Sequence, residues 1–280
     1  MNRYSFSGHE SFYCKSLWLK KGYDFLAHRN SFLDNDAVVK LGVGKNMVSS
    51  IRFWLKAFGL TLNDIPTQLA GYILDSENGK DPYCEDVNTL WLLHFSLVRT
   101  QVASLYYLLF VDYQREKKEF DKDTLQNYIR RRCNVAEQKN IYNENTVHKD
   151  INVLLHNYIA PDNLKSLEDF SALLIPLNVL QRNEKEIYSF RPQDKFSISF
   201  SVILYAMLDI KEDNTLSLDK IQDLSSIFGF TVSDFIEMVR EFEDEHPKIL
   251  HYSDNSGIKN IQFLCQLDKF KVLDEYYNAL

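Results

Sequence analysis

The sequence predicts a mainly α protein with small β wings, an α+β chain of tandem winged helix-turn-helix units. Three observations lead there. Three separate segments each read as a helix, a short break and a second, amphipathic helix, the outline of a helix-turn-helix. The third is followed by two strand-like runs around a polar turn, which is the order of a winged helix. Only 9 glycines and 6 prolines in 280 residues argue against a turn-rich β-sandwich.

The first segment is DAVVKLGVGKNMVSSIRFWLKAFGL, residues 36–60. Asp36 is placed to cap a short helix ending at Leu41. Gly42-Val43-Gly44 breaks that helix, because glycine accepts the backbone angles of a tight turn. Met47, Val48, Ile51, Leu55 and Phe58 then recur at helical spacing, and Gly59 is a stop signal. The opposite face carries Lys45, Ser49, Arg52 and Lys56, one stripe along about three turns. No acidic residue lies on this helix.

Between the first two segments, residues 69–74 read as a strand, Asp81-Pro82 as a turn, and residues 87–98 and 103–112 as buried helices. The second segment spans residues 120–158. A helix over 122–132 ends in Arg130, Arg131 and Arg132, and a polar loop follows. TVHKDINVLLHNYI is a second helix, capped by Asn145 or Thr146, with Val147, Ile151, Leu154, Leu155 and Tyr158 inward. Its outer stripe is Asn145, Lys149, Asn152 and His156.

The third segment, residues 202–263, holds helices over 201–210 and up to Gly229, then a helix capped by Thr231 or Ser233. That helix turns Phe235, Met238, Val239 and Phe242 inward. Strands over 248–252 and 258–264 flank the turn Ser253-Asp254-Asn255-Ser256-Gly257. These readings divide the chain into residues 1–115, 116–200 and 201–280. The segments share a pattern without a repeat of fixed period.

Composition is that of an ordinary globular protein, 45% hydrophobic and 25% charged. The 19 Phe and 16 Tyr suit large cores or interfaces. Cys14, Cys84, Cys133 and Cys265 form no CxxC pair, so the expectation is reduced thiols in a cytoplasmic protein. No apolar stretch is long enough to span a bilayer, and the start lacks the apolar run of a signal peptide. Charge is uneven: residues 1–60 carry nine basic and four acidic residues, and residues 205–250 carry four and eleven. A basic first fifth on an acidic chain suggests one face made for an anion.

The Lys45/Ser49/Arg52/Lys56 stripe, with Asn46 beside it, is the leading candidate for a DNA-reading face. A recognition helix presents a polar face to base edges and phosphates, and its cations release counterions. The alternative is an ordinary solvated helix face. Arg130 and Arg131 are candidates for phosphate contact, though successive residues on a helix point in different directions. Lys149 and Asn152 stand where a second reading helix would want them, with Asp150 beside them against it. The last helix carries Asp234, Glu237, Glu241, Glu243, Asp244 and Glu245 against Arg240, a face that phosphate would repel and that suits a protein partner.

His9, Glu10 and Cys14 offer three ligand types within six residues and no fourth, a poor zinc set, and the alternative is a structural turn with His9 hydrogen-bonded. Asp81, Glu85 and Asp86 read as an acidic loop or helix start before they read as a cation site. His94, amid Trp91, Leu92, Leu93 and Phe95, reads as a core histidine. No nucleophile elbow, HExxH, phosphate-binding loop or dinucleotide fingerprint is present. The expectation is a protein without catalytic residues, metal or cofactor.

FSGHESFYCKSLWLKKGYDFL, the segment from Asp36 described above, and DPYCEDVNTLWLLHFSLV together resemble the bacterial family described as domain of unknown function 4007. The match is strongest over residues 6–98. The resemblance implies a place among genome-defence genes, near sulfurtransferase-like genes of the DNA phosphorothioation type, and supplies no catalytic residues. The expected function is a DNA-binding accessory or scaffold of such a system, with double-stranded DNA and other proteins of the operon as partners. The alternative is a protein-only adaptor without DNA contact.

Overall fold

The computed structural model describes residues 3–138, 140–161, 171–255 and 258–279. It is mainly helical with small antiparallel sheets. Helix α1 (Trp18–Ala27) leads into α2 (Ala37–Leu41) and α3 (Lys45–Ala57). Gly42 makes the turn between α2 and α3 at a left-handed φ of 62°, as its lack of a side chain predicts. Asp36 precedes α2 but caps nothing; its carboxylate turns to Lys40 one turn along, at 2.9 Å. A two-stranded hairpin follows α3, β1 (Thr61–Leu62) with β2 (Ile65–Pro66).

Residues 69–74 correct the sequence reading. They belong to a helix, α4 (Gln68–Leu74), whose N-terminus is capped by the Thr67 hydroxyl accepting the Ala70 N–H. Helix α5 (Val87–Thr100) is capped by Asp86 and buried over most of its length. After it come α6 (Ser104–Tyr107), a wide π turn (Leu108–Tyr113) and α7 (Gln114–Glu116). Strand β3 (Glu119–Phe120), α8 (Lys122–Cys133), α9 (Glu144–Tyr158), β4 (Leu180–Arg182) and β5 (Tyr188–Phe190) complete this part. The cap of α9 is Asn143, which accepts the Thr146 N–H, rather than Asn145 or Thr146.

The chain folds as two compact units, Met1–Phe190 and Arg191–Leu280. The two N-terminal segments read from sequence share the first unit, because residues 4–16 lace through both. The Tyr4 and Ser5 amides donate to Gln138 and Ser104, and the Cys14 amide donates to Asn157. The Leu173 and Ser16 amides bind the Cys14 and Ser171 carbonyls. Trp54, Phe58, Trp91, Phe95, Phe110 and Tyr158 fill the core of this unit. His94 lies among them, fully buried and bonded to the Tyr158 hydroxyl at 2.7 Å.

The second unit holds α10 (Phe200–Ile210), β6 (Thr215–Ser217), α11 (Leu218–Phe228), α12 (Val232–Glu245), β7 (Leu250–Asn255), β8 (Ile258–Phe263) and α13 (Lys269–Tyr277). Thr231 caps α12 in a reciprocal pair with Asp234. Strands β7 and β8 pair antiparallel, but Ser253, Asp254 and Asn255, read from sequence as part of the turn, extend β7 and pair with Asn260, Lys259 and Ile258; Ser256 and Gly257 lie outside the described residues. The two three-stranded sheets have one topology. In each, a strand precedes two helices and two strands follow, and the last strand lies in the middle, as β3-β5-β4 and as β6-β8-β7.

Candidate nucleic-acid interface

The polar face of α3 lines a groove of about 700 Å³. Lys45, Ser49, Arg52 and Lys56 share it, as their spacing predicts. One wall is the segment from Phe32 to Val38, and the other is the β1–β2 hairpin through Thr61, Asn63 and Asp64. Lys45, Asn46, Ser49 and Lys56 are exposed, and Asn46 stands beside the groove without lining it.

Arg52 departs from the reading as a free cation. Its guanidinium forks onto the Asp64 carboxylate, Nε to Oδ1 at 2.9 Å and Nη2 to Oδ2 at 2.7 Å. That hydrogen bonding raises the Arg52 pKa above its ordinary value. The helix has no acid of its own, but the hairpin supplies one twelve residues on. The cations that stay open to solvent are Lys45 and Lys56. Of the two lining carboxylates, Asp64 is held by Arg52, and Asp34 accepts the Ser31 backbone N–H at 3.1 Å.

The FSGHESF segment forms the bed of α3. Gly8, at a φ of 99°, lies so close to the Phe53 ring that an added Cβ would stand 2.6 Å from it. The His9 ring stacks on Trp54 at 6.1 Å and meets Phe53 edge-on at 5.7 Å. The Ser11 N–H donates to His9 Nδ1, so Nε2 carries the proton and donates to Asp150 Oδ1 at 2.9 Å. The other oxygen of Asp150 accepts the Ser7 N–H at 2.8 Å. Asp150 therefore turns inward from α9, away from the outer stripe where it had counted against Lys149 and Asn152.

His9, Glu10 and Cys14 do not converge. Both ring nitrogens of His9 are engaged, Glu10 is exposed, and Cys14 is fully buried with its thiol pKa pushed up by desolvation. The Asp81 carboxylate accepts the Glu85 and Asp86 amides, and Asp86 caps α5, so this group is a loop and helix start. Among the described residues no three His, Cys, Asp or Glu side chains are placed to hold a metal ion.

The remaining candidates lie outside the groove. Arg130 pairs with Glu144 at 3.2 Å and lies over the Tyr142 ring. Arg131 is exposed over Tyr128, and Arg132 is tied to Asp112 at 2.6 Å. On α9, Lys149 is exposed and Asn152 half-buried. The acidic face of α12 is partly engaged: Glu237 and Glu241 hold Lys195, and Glu243 accepts the Tyr252 N–H and pairs with His251. Sequence reading missed the hairpin residues Asn63 and Asp64. Their tolerance of left-handed backbone was the available signal.

Geometry and fold thus define a mainly helical protein with a polar groove that carries two exposed lysines and a clamped arginine along one helix. The chain belongs to the family of proteins of unknown function DUF4007, whose model matches residues 6–277. No curated protein matches it. Two solved structures are similar over nearly its whole length. A crystal structure of SspB is 27% identical with a TM-score of 0.84. A magnesium ion-bound SspB is 26% identical with a TM-score of 0.81. Each comparison covers 98% of this chain and 88% of the other. No described helix is long and apolar enough to cross a membrane.

Proposed function

We propose that this protein is a non-catalytic, DNA-binding accessory or scaffold of a bacterial genome-defence or DNA-modification system, working in the cytoplasm. Its helix–turn–helix–hairpin segments act as tandem winged helices. In the first of them α3 faces the duplex, with Lys45 and Lys56 on phosphates and Asn46 and Ser49 toward base edges. The carrying observation is the exposed, acid-free face of α3 lining a groove whose far wall is a hairpin. Family membership supports the setting, through the gene neighbourhood that the family resemblance implies. Lys149, Asn152, Arg130 and Arg131 contribute secondary phosphate contacts.

The test is anisotropy of a labelled duplex at low salt. Lys45→Glu with Lys56→Glu should weaken binding by at least about tenfold, and wild-type affinity should fall with salt at a slope of at least about 2, near 0.9 for each of the two α3 lysines and steeper with the secondary contacts. Equal binding by both proteins overturns the reading. Because a similar solved protein binds magnesium, the same duplex is incubated with and without Mg²⁺. Strand scission by the purified chain would remove the non-catalytic part of the proposal.

A second reading, a protein-only adaptor, draws on the second unit. There Phe196 is 79% exposed beside a hollow of about 260 Å³ lined by Phe200, Phe242, Glu241 and Glu245. Such a hollow suits a basic amphipathic segment of a partner. A partner recovered from cells after nuclease treatment, and lost with Phe196→Ser, would favour it.

A further inference from the structure

We propose that the β1–β2 hairpin is an apolar wedge that inserts Leu62 and Ile65 between base pairs of the duplex beside α3. This rests on the DNA-binding reading above and adds a deformation to it. Leu62 is 69% exposed and Ile65 68%, although both are large aliphatic side chains. They are direct cross-strand partners, so they project from the same side of the ribbon as a pair. Single exposed aliphatics are common on protein surfaces and need no explanation. Two held side by side at the end of a rigid turn are a different object.

The tip is held firmly. Asn63 and Asp64 both take left-handed backbone, at φ 52° and 62°, as a two-residue hairpin turn of the primed type requires. The Thr67 N–H and hydroxyl donate to the Leu60 and Gly59 carbonyls, each at 2.9 Å, and close the base of the hairpin. Arg52 grips Asp64 from α3 and fixes the tip against that helix. Leu62 and Ile65 are therefore presented in one orientation, with little ordering left to do on binding.

The surroundings favour DNA over a protein as occupant. The hairpin forms a wall of the groove that carries Lys45 and Lys56, and its Asp64 is already neutralised by Arg52. Beside the pair the exposed neighbours Asn63 and Gln68 are polar, so the hairpin's own apolar surface is a two-residue point; Leu33 and Val38 are exposed on the facing wall of the groove. A stable protein interface needs a far larger area, about 800 Å² on each partner. Leucine and isoleucine wedges unstack base steps, and phosphate contacts alongside hold the bent duplex.

The experiment uses the full chain and a duplex carrying 2-aminopurine, whose fluorescence rises when it unstacks. Wild type should raise the signal at least about twofold at saturation, as partial unstacking by a wedge predicts. Leu62→Ser with Ile65→Ser should abolish the rise while changing affinity less than about threefold, since wedge burial and unstacking cost offset each other. Binding without any fluorescence rise in wild type would overturn the wedge and leave the DNA reading standing. A rise that persists in the double variant would also overturn it. No binding by wild type would sink both. A cellular partner protein lost specifically in the double variant, with DNA fluorescence flat, would assign the tip to a protein instead.

Discussion

The Arg52 guanidinium and the Asp64 carboxylate meet in a two-pronged ion pair that joins the middle of α3 to the turn of the hairpin after it. Both side chains keep access to water, at 42% and 31% exposure, so the pair contributes at most about 1 kcal/mol to stability. Its weight falls on the groove: it removes one cation from the α3 stripe and cancels the hairpin's acid. Asp64→Asn should release Arg52 toward a polyanion. Duplex affinity at low salt should rise, and the salt slope should steepen by about 0.9. The urea midpoint should move little. An unchanged slope would show that Arg52 does not face DNA.

Asp150 joins α9 to the bed of α3 by accepting from His9 Nε2 and from the Ser7 N–H. It is buried, as is His9, so removal of the carboxylate strands the His9 donor away from water and leaves the Ser7 N–H without its acceptor. Asp150→Ala should destabilise the protein by about 2–4 kcal/mol, the cost of unsatisfied buried polar groups. Asp150→Asn keeps one acceptor and should lose less than half of that. Chemical unfolding of the three proteins checks the order; an alanine variant as stable as wild type would remove Asp150 from this structural role.

Gly8 is held at a φ of 99°, and a side chain there would strike the Phe53 ring. Backbone strain alone costs roughly 1–3 kcal/mol, and displacing Phe53 adds to it. Gly8→Ala should therefore lower the melting temperature and also weaken duplex binding, because Phe53 lies on α3 beside Arg52 and lines the groove. Gly44→Ala is the control: it has open space around its Cβ position and an ordinary φ of −64°. It should leave both measurements nearly unchanged.

Much of this was legible in the residues. The apolar spacing of Val48, Ile51 and Leu55 gave α3 its buried side, and Thr231, with Ser233 as the alternative, marked the start of α12. What escaped were features set by distant partners. Residues 69–74 have an apolar run that suits strand or helix, and the decision was made by the Thr67 cap. Strands β3, β4 and β5 are two or three residues long, too short for alternation to register, and exist because Phe120 pairs with Tyr188. The partner of Arg52 lies across a turn that lacks the usual glycine. Asp150 could not be turned inward on paper without knowing that His9 waits there.

Asp121 caps α8, accepting the Thr124 N–H at 2.7 Å, and those hydrogen bonds from Thr124 hold its carboxyl below the ordinary value of 3.8. A carboxyl with a depressed folded-state pKa binds its proton more readily when unfolded. The cap's contribution is thus complete above the unfolded value and is lost as pH falls from there through the folded one. Asp121→Ala should cost about 1 kcal/mol near neutral pH, the usual worth of an N-cap. The gap between wild type and Asp121→Ala should then close as pH drops below the unfolded value and through the lowered folded one. Asp121→Ser caps without titrating at these pH values, so its advantage over alanine should persist throughout. Urea unfolding of all three proteins across that range checks this, and a wild-type advantage over alanine that stayed constant to the acid end would assign the stabilisation to something other than the ionised cap.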